Sequence, residues 1–350
     1  MNTGFTPAEM QVLRGLVEHP TLNDRELSEK IRVKPSTTTA IRRRLRERNV
    51  FRTIRIPMGY RLGYEILAVA YGKLKPTLEE RHKRAFRDWV KDIPYVFLSL
   101  ASSDSILNLA YLKNYTMFRE YTTRITDMFR DSDLVDHETW VAVIFSMDAC
   151  RLFTFFDYGP AVRHAFGIEE KAKVDVGFHG LSSEKLSKKE KSVLLGLTKY
   201  PESSDKAIAE KIGASRQAVS SMRKRFEEIG IMKTVRIVDL EQIGYGILVV
   251  GHSIFTPQAT INVRKDGIKT IQETIPSIFN VGSNPENVIV APAKDYDEYH
   301  MVKKGALELY GKKGFLRTEP RMTLFPFSDL KAVKDFDFSG FMEVVASEET

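Results

Sequence analysis

At 350 residues with a 43% hydrophobic share, the chain is long enough for about two domains or more, which excludes a fibrous or disordered protein. Its one cysteine, Cys150, excludes an intrachain disulfide framework and any cysteine-cluster metal site. The net charge of +7 is uneven: residues 5–56 and 187–237 carry roughly +6 each and the rest roughly −5, so the basic charge sits in two similar segments.

Thr6-Pro7-Ala8-Glu9 opens a first helix as a capping box with proline at N1. Val12, Leu13 and Leu16 form its apolar stripe, and Pro20 stops it. A short second helix follows at DRELSEKI. A third begins near Pro35, with Thr38, Ile41 and Leu45 on one buried stripe. NVFRTIRI then alternates as a strand or wing, and the whole reads as a winged helix-turn-helix over 1–60. Beyond it, EILAVAYGKL is strand-like, TLEERHKRAFRDWVKDI helical, YVFLSLA and ILNLAYL strands, YTMFREYTTRITDMF helical and WVAVIFSM a strand. This β-α-β-β-α-β order over 61–160 is ferredoxin-like. RHAFGIEEKAKVDVGFHGLSSEK is charged and glycine-punctuated, and marks a linker at 161–186.

At Ser187 the plan restarts. A shift of 181 residues superposes Thr6–Pro76 on Ser187–Pro257 without a gap, with roughly 22 of 71 pairs identical. The second winged helix-turn-helix is expected at 187–241, the second ferredoxin-like domain at 242–340 and a tail at 341–350. The predicted class is α+β: two winged helix-turn-helix and two ferredoxin-like (βαββαβ) domains in a tandem pseudo-symmetric repeat.

Opposite the buried stripe of the third helix lie Ser36, Thr39 and Arg43, flanked by Thr37, Arg42 and Arg46. The second copy offers Gln217, Ser220, Ser221, Arg223 and Lys224, with Arg216 at the helix start. Short hydrogen-bonding side chains near a helix N-terminus approach base edges, and basic side chains further along reach guanine or phosphate. Arg55 and Arg236 on the wings are candidates for phosphate contact. Helices at 35–48 and 216–229 would then read adjacent major grooves of a pseudo-palindromic operator.

SDKAIAEKIGASRQAVSSMRKRFEEIGIMKTVRIVDLEQIGYGILVV, Ser204 to Val250, resembles the Lrp/AsnC transcription regulators. The resemblance rests on the alanine-containing second helix, Ser215 opening the third, the Gly230-Ile231 corner and the LEQIGY bridge. It implies a sequence-specific regulator of transcription binding double-stranded DNA, working with the transcription machinery, pairing as a homodimer and holding a small effector such as an amino acid; the duplication adds the expectation of a pseudo-dimer within one chain. It also places effector contacts in the loops ASSDS and GSNPEN, at Ser102, Asp104, Gly282, Asn284 and Glu286. An archaeal source is expected.

Sirohaem decarboxylases share this plan in paired copies, and the resemblance to them implies a histidine- and arginine-bearing strand motif. The matching strand, YVFLSLASSD, has neither residue. The seven histidines show no metal-ligand spacing, the glycines of GYGILVVG sit inside a strand, and there is no phosphate loop or GxSxG. The sequence therefore reads as a regulator without cofactor and not as an enzyme, with a decarboxylase-like enzyme or an interaction scaffold as alternatives. No apolar run approaches the roughly 20 residues of a membrane span, and MNTGFTPAEM lacks a leader pattern, so a cytoplasmic location without a membrane partner is expected.

Overall fold

The computed structural model describes residues 4–75, 77–132, 139–168 and 183–348; Pro76 and most of the expected linker at 161–186 lie outside them. Helices α1 (Pro7–Glu18), α2 (Asp24–Ile31) and α3 (Pro35–Glu47) lead into strand β1 (Phe51–Pro57). Then come β2 (Ile66–Lys73), α4 (Glu80–Asp92), β3 (Val96–Ala101), β4 (Ser105–Leu112), α5 (Tyr115–Ser132), β5 (Val141–Ser146), β6 (Arg151–Phe155) and α6 (Gly159–Ala165). The second pass gives α7 (Lys188–Lys199), α8 (Asp205–Ile212), α9 (Arg216–Glu228), β7 (Met232–Val238), β8 (Ile247–Ile254), α10 (Lys265–Thr274) and β9 (Phe279–Gly282). It ends with β10 (Glu286–Ala293), α11 (Tyr296–Gly311), β11 (Arg321–Pro326), β12 (Lys331–Asp335) and α12 (Ser339–Ser347).

Local chemistry sets these boundaries twice over. Thr6 and Glu9 close a capping box on α1, and Ser187 with Glu190 repeats it on α7. The residue after α8 is Gly213, in the left-handed region at φ 66°, whereas Arg32 adopts φ 55° at the same place in the first copy. Only glycine takes that conformation without Cβ strain, so the first turn is the costlier one.

Each ferredoxin-like sheet has the expected four strands in the expected order, and the two repeat the same register: Ile66 faces Leu112 as Ile247 faces Ala293. The sheets are larger than the sequence pattern predicts. One runs β12-β3-β4-β2-β5 and the other β11-β8-β10-β9-β6. The fifth strand of each comes from the other repeat, β6 pairing antiparallel with β9 and β12 with β3. The compact units therefore cross the linear division at 60, 160, 186, 241 and 340. The first unit draws on 1–53, 150–178 and 234–328, so it joins the first winged helix to the second repeat's sheet. The second draws on 54–149, 179–233 and 329–350 and joins the second winged helix to the first repeat's sheet. The chain passes between units within β1 and again within β7.

In the second unit the layer between sheet and helices is filled. Phe86, Val90, Tyr121 and Ile125 pack with Trp89, Tyr95 and Trp140 against Ala68, Ile106, Ala110 and Leu112. Trp89 stacks on Tyr121 at 6.5 Å between ring centres, and Tyr95 meets Tyr121 edge-on at 5.7 Å.

Candidate functional site

Several basic side chains of the winged helices are held by carboxylates of the same domain. Asp24 on α2 receives Arg42 at 2.6 Å and the Thr39 hydroxyl at 2.8 Å, and Asp205 on α8 receives Arg223 through two bonds of 3.1 Å. Burial raises the Asp24 pKa, but the bonds from Arg42 and Thr39 outweigh it and hold the carboxyl below its ordinary value; Asp205 is lowered in the same way, with Ser220 among its donors. Glu9 collects Arg44 at 3.0 Å and Arg48 at 3.5 Å, and Glu190 collects Arg225. Thr39, Arg42, Ser220 and Arg223, assigned to DNA from the sequence, thus fix the third helix against the second.

The wing arginines require a correction. Arg236 is 3% exposed, donates to the carbonyls of Leu16 at 3.1 Å and Pro20 at 3.0 Å, and lies over the Phe51 ring. It satisfies carbonyls at the end of α1 instead of reaching outward for phosphate. Arg55 does the same in the second unit, half-buried with Nη1 3.4 Å from the Leu197 carbonyl, its pKa lowered by desolvation and by Arg223 nearby. Ser36, Arg43 and Arg46 on α3, and Arg216, Gln217, Ser221 and Lys224 on α9, remain exposed, with Thr37 half-buried beside them. Arg43 is 78% exposed, with only Glu47 at 3.7 Å.

The residues marked for an effector are engaged within their own unit, in the first loop with one another and in the second with neighbouring elements. The Ser102 hydroxyl donates to Asp104 at 3.1 Å and accepts from the Ser105 amide. Asn284 accepts from the Ile261 amide at 3.0 Å, Glu286 pairs with the buried His252 at 3.1 Å, and a Cβ on Gly282 would meet Phe153 at 2.9 Å. None of the five lines the cavity that the first unit does contain.

That cavity, of about 80 Å³, lies between the sheet and α10 and α11. Val249, Gly251, Ile271, Ile289, Val302 and Met322 make it apolar, and His164, Glu298 and Lys303 are polar side chains on its wall. It exists because large residues of the first repeat are small in the second. Tyr121 becomes Val302 and Ile125 becomes Ala306 at the 181-residue shift, and Tyr95 becomes Pro276. Beyond α11 the offset is 180, since Val141 pairs with Tyr71 as Arg321 pairs with His252, and Trp140 becomes Pro320. The sequence reading missed the site, although these large-to-small pairs are visible once the repeats are aligned.

A polar pair sits at its edge. His164 on α6 places Nε2 3.2 Å from Glu298 and Nδ1 2.9 Å from the Tyr245 hydroxyl, which itself donates to the Ala161 carbonyl at 2.8 Å. Both ring nitrogens therefore face oxygen acceptors. Burial would raise Glu298, but the bonds from His164 and the Lys294 amide outweigh it and keep the carboxyl below its ordinary range. Burial and the Glu298 charge push the Tyr245 hydroxyl strongly upward, and burial lifts Tyr310 to about 12. In the second unit the corresponding positions carry Val344 and Met117, so the pair belongs to the first unit alone. Among the described residues, no three His, Cys, Asp or Glu converge as metal ligands, and no helix is long and apolar enough to cross a membrane.

No protein-family model and no curated protein sequence matches the chain. Among solved structures, the siroheme decarboxylase NirDL in complex with an iron-uroporphyrin III analogue matches at TM-score 0.53 and 11% identity, over 97% of this chain and 99% of that one. A second NirDL structure matches at TM-score 0.52 and 12% identity, over 97% and 98%. A Pyrococcus furiosus transcriptional regulator of the AsnC family covers 40% of this chain and 88% of its own, at 24% identity and TM-score 0.31. The sequence reading of a protein that is not an enzyme is thereby corrected, since both full-length matches are to an enzyme. What the likeness shows is the fold: the chain carries a duplicated Lrp/AsnC-like α+β architecture.

Proposed function

We propose that the protein is a decarboxylase-type enzyme whose single working site is the cavity of the first unit. The observation that supports this is the contrast between equivalent interiors: one filled by Tyr121, Ile125 and Trp140, the other open and edged by His164 and Glu298. Decarboxylation breaks a C–CO2⁻ bond and forms a C–H bond, so a site must hold a carboxylate away from bulk water and deliver a proton to the carbon left behind. The apolar wall serves the first need and the His164–Glu298 pair, through the proton shared between Nε2 and the carboxylate, the second; Lys303, which also pairs with Glu319 at 2.7 Å, is the basic group on the wall. The histidine comes from α6 and not from the strand on which the decarboxylase resemblance expects one. A carboxylated tetrapyrrole, the class named for the full-length structural match, is larger than the cavity, so one carboxylate arm would enter it. The test is CO2 release and loss of a carboxyl mass from iron-uroporphyrin III or sirohaem; His164→Gln should lower turnover about 100-fold. Folded wild-type protein that releases no CO2 from either would end this reading.

A second reading, sequence-specific binding of double-stranded DNA, is favoured by the exposed faces of α3 and α9. Ser36, Thr37, Arg43 and Arg46 would meet one half-site and Arg216, Gln217, Ser221 and Lys224 an unequal one, in a regulator working in the cytoplasm with the transcription machinery, a second copy of the chain and a small effector. Selection from random duplexes followed by Arg43→Ala and Lys224→Ala tests it: each should weaken one half-site, and affinity indifferent to salt would remove it.

A further inference from the structure

We infer that the contents of the first unit's cavity set how firmly its winged helix is held, so that ligand binding there acts on α3 and leaves α9 untouched. The helix α6 is the connecting part. Its neighbouring residues Arg163 and His164 face two ways: Arg163 grips Glu18 at the end of α1, while His164 holds Glu298 on the cavity wall. Just beyond α6, Phe166 meets Phe5 at 5.7 Å between ring centres, and Arg48 at the end of α3 lies 5.0 Å over that same Phe5 ring. Arg44 and Arg48 then tie α3 to Glu9 on α1. Packed and ion-paired side chains run without a break from the cavity to the exposed helix.

The second unit has the same strap without the sensor. Its α12 packs on α7, and Glu343 grips Lys199 at 2.9 Å, the Arg163–Glu18 pair with its charges exchanged. At the place of His164 stands Val344, at that of Glu298 stands Met117, and the interior behind them is filled. A ligand shifts a conformational balance only through differential contact with the two states, and here only the first unit offers a contact that an occupant would compete for or reinforce. The ligand chemistry is that of the proposed substrate, an apolar body with one carboxylate near His164 and Lys303. To that extent the inference rests on the enzyme reading.

Amide hydrogen exchange on the full-length protein tests it. Glu298→Met and His164→Val, which install the second unit's residues, should each speed exchange in α1 and α3 about five-fold and leave α7 and α9 unchanged. Unchanged exchange in α1 and α3, or equal acceleration in α7 and α9, would overturn the coupling. Iron-uroporphyrin III, followed by its absorbance band, should slow the same α1 and α3 amides in the wild type and not in Arg163→Ala. If it binds and those amides do not respond, the coupling fails. If it does not bind, the enzyme reading fails, and the variant comparison decides the coupling by itself.

Discussion

Filling the cavity should stabilise the protein and abolish ligand binding together, and Ala306→Ile is the informative change. An unfilled apolar void costs about 24 cal/mol per Å³, so about 80 Å³ represents about 2 kcal/mol of unrealised packing. Isoleucine adds three carbons at about 0.8 kcal/mol each, a ceiling of about 2.4 kcal/mol, from which off-rotamer strain of about 1 kcal/mol is subtracted. Ile125 occupies the equivalent site of the second unit, 3% exposed, so the fold already tolerates this side chain there. The expected gain is about 1–2 kcal/mol, or several degrees in Tm, measured by thermal and denaturant unfolding with ligand titration in parallel. A loss of 1 kcal/mol or more would mean that the space is not available to the side chain, and a variant that still binds iron-uroporphyrin III would mean that the cavity is not the site.

Removing Arg236 as Arg236→Ala leaves the Leu16 and Pro20 carbonyls without their donor and should cost about 3 kcal/mol, while the salt dependence of DNA binding stays as it was. By contrast Arg43→Ala, at an exposed position, should leave stability within about 0.5 kcal/mol and reduce the salt slope of DNA affinity by about 1. The winged helices should be acid-labile. Glu9, Asp24, Glu190 and Asp205 all have folded pKa values below their ordinary 4.5 or 3.8, so their contribution is fully present above those values and is lost as pH falls through the lower folded ones. Helical signal followed from pH 6 to 2 should drop with proton uptake, and Asp24→Asn should reduce the first repeat's share to that of Glu9. Stability that rose on acidification would contradict the clamps.

The duplication was legible because a gap-free shift preserves whole interaction pairs. Asp24 with Arg42 and Asp205 with Arg223 are identical at both ends, and each forms an ion pair between the second and third helices, through one bond in the first copy and two in the second. Capping boxes and the period of the third helix placed the winged helices for the same local reason. What the sequence could not reveal was direction over distance. Arg55 and Arg236 sit on strands whose alternation is the same whether the side chain meets water or a distant helix end, and only the fold decides between them. Likewise β6 and β12 are short strands with nothing local to say which sheet they complete. The cavity lies between these cases: no motif marks it, yet Tyr121 against Val302 and Ile125 against Ala306 record it once the two copies are compared.

The exchanged strands bear on how such a chain arises and how it comes apart. A half cut between residues 168 and 183 keeps a complete ferredoxin-like core but lacks the edge strand that covers it, and its own β6 has no sheet to join. Such a half satisfies itself only by trading arms with another copy, which is how a self-associating ancestor would have paired. Made separately, the two halves should aggregate or self-pair, and mixed they should reassemble into the native pair. Fusing two genes of that ancestor frees each arm from having to fit its own kind, so one half can keep an open interior while its twin fills in.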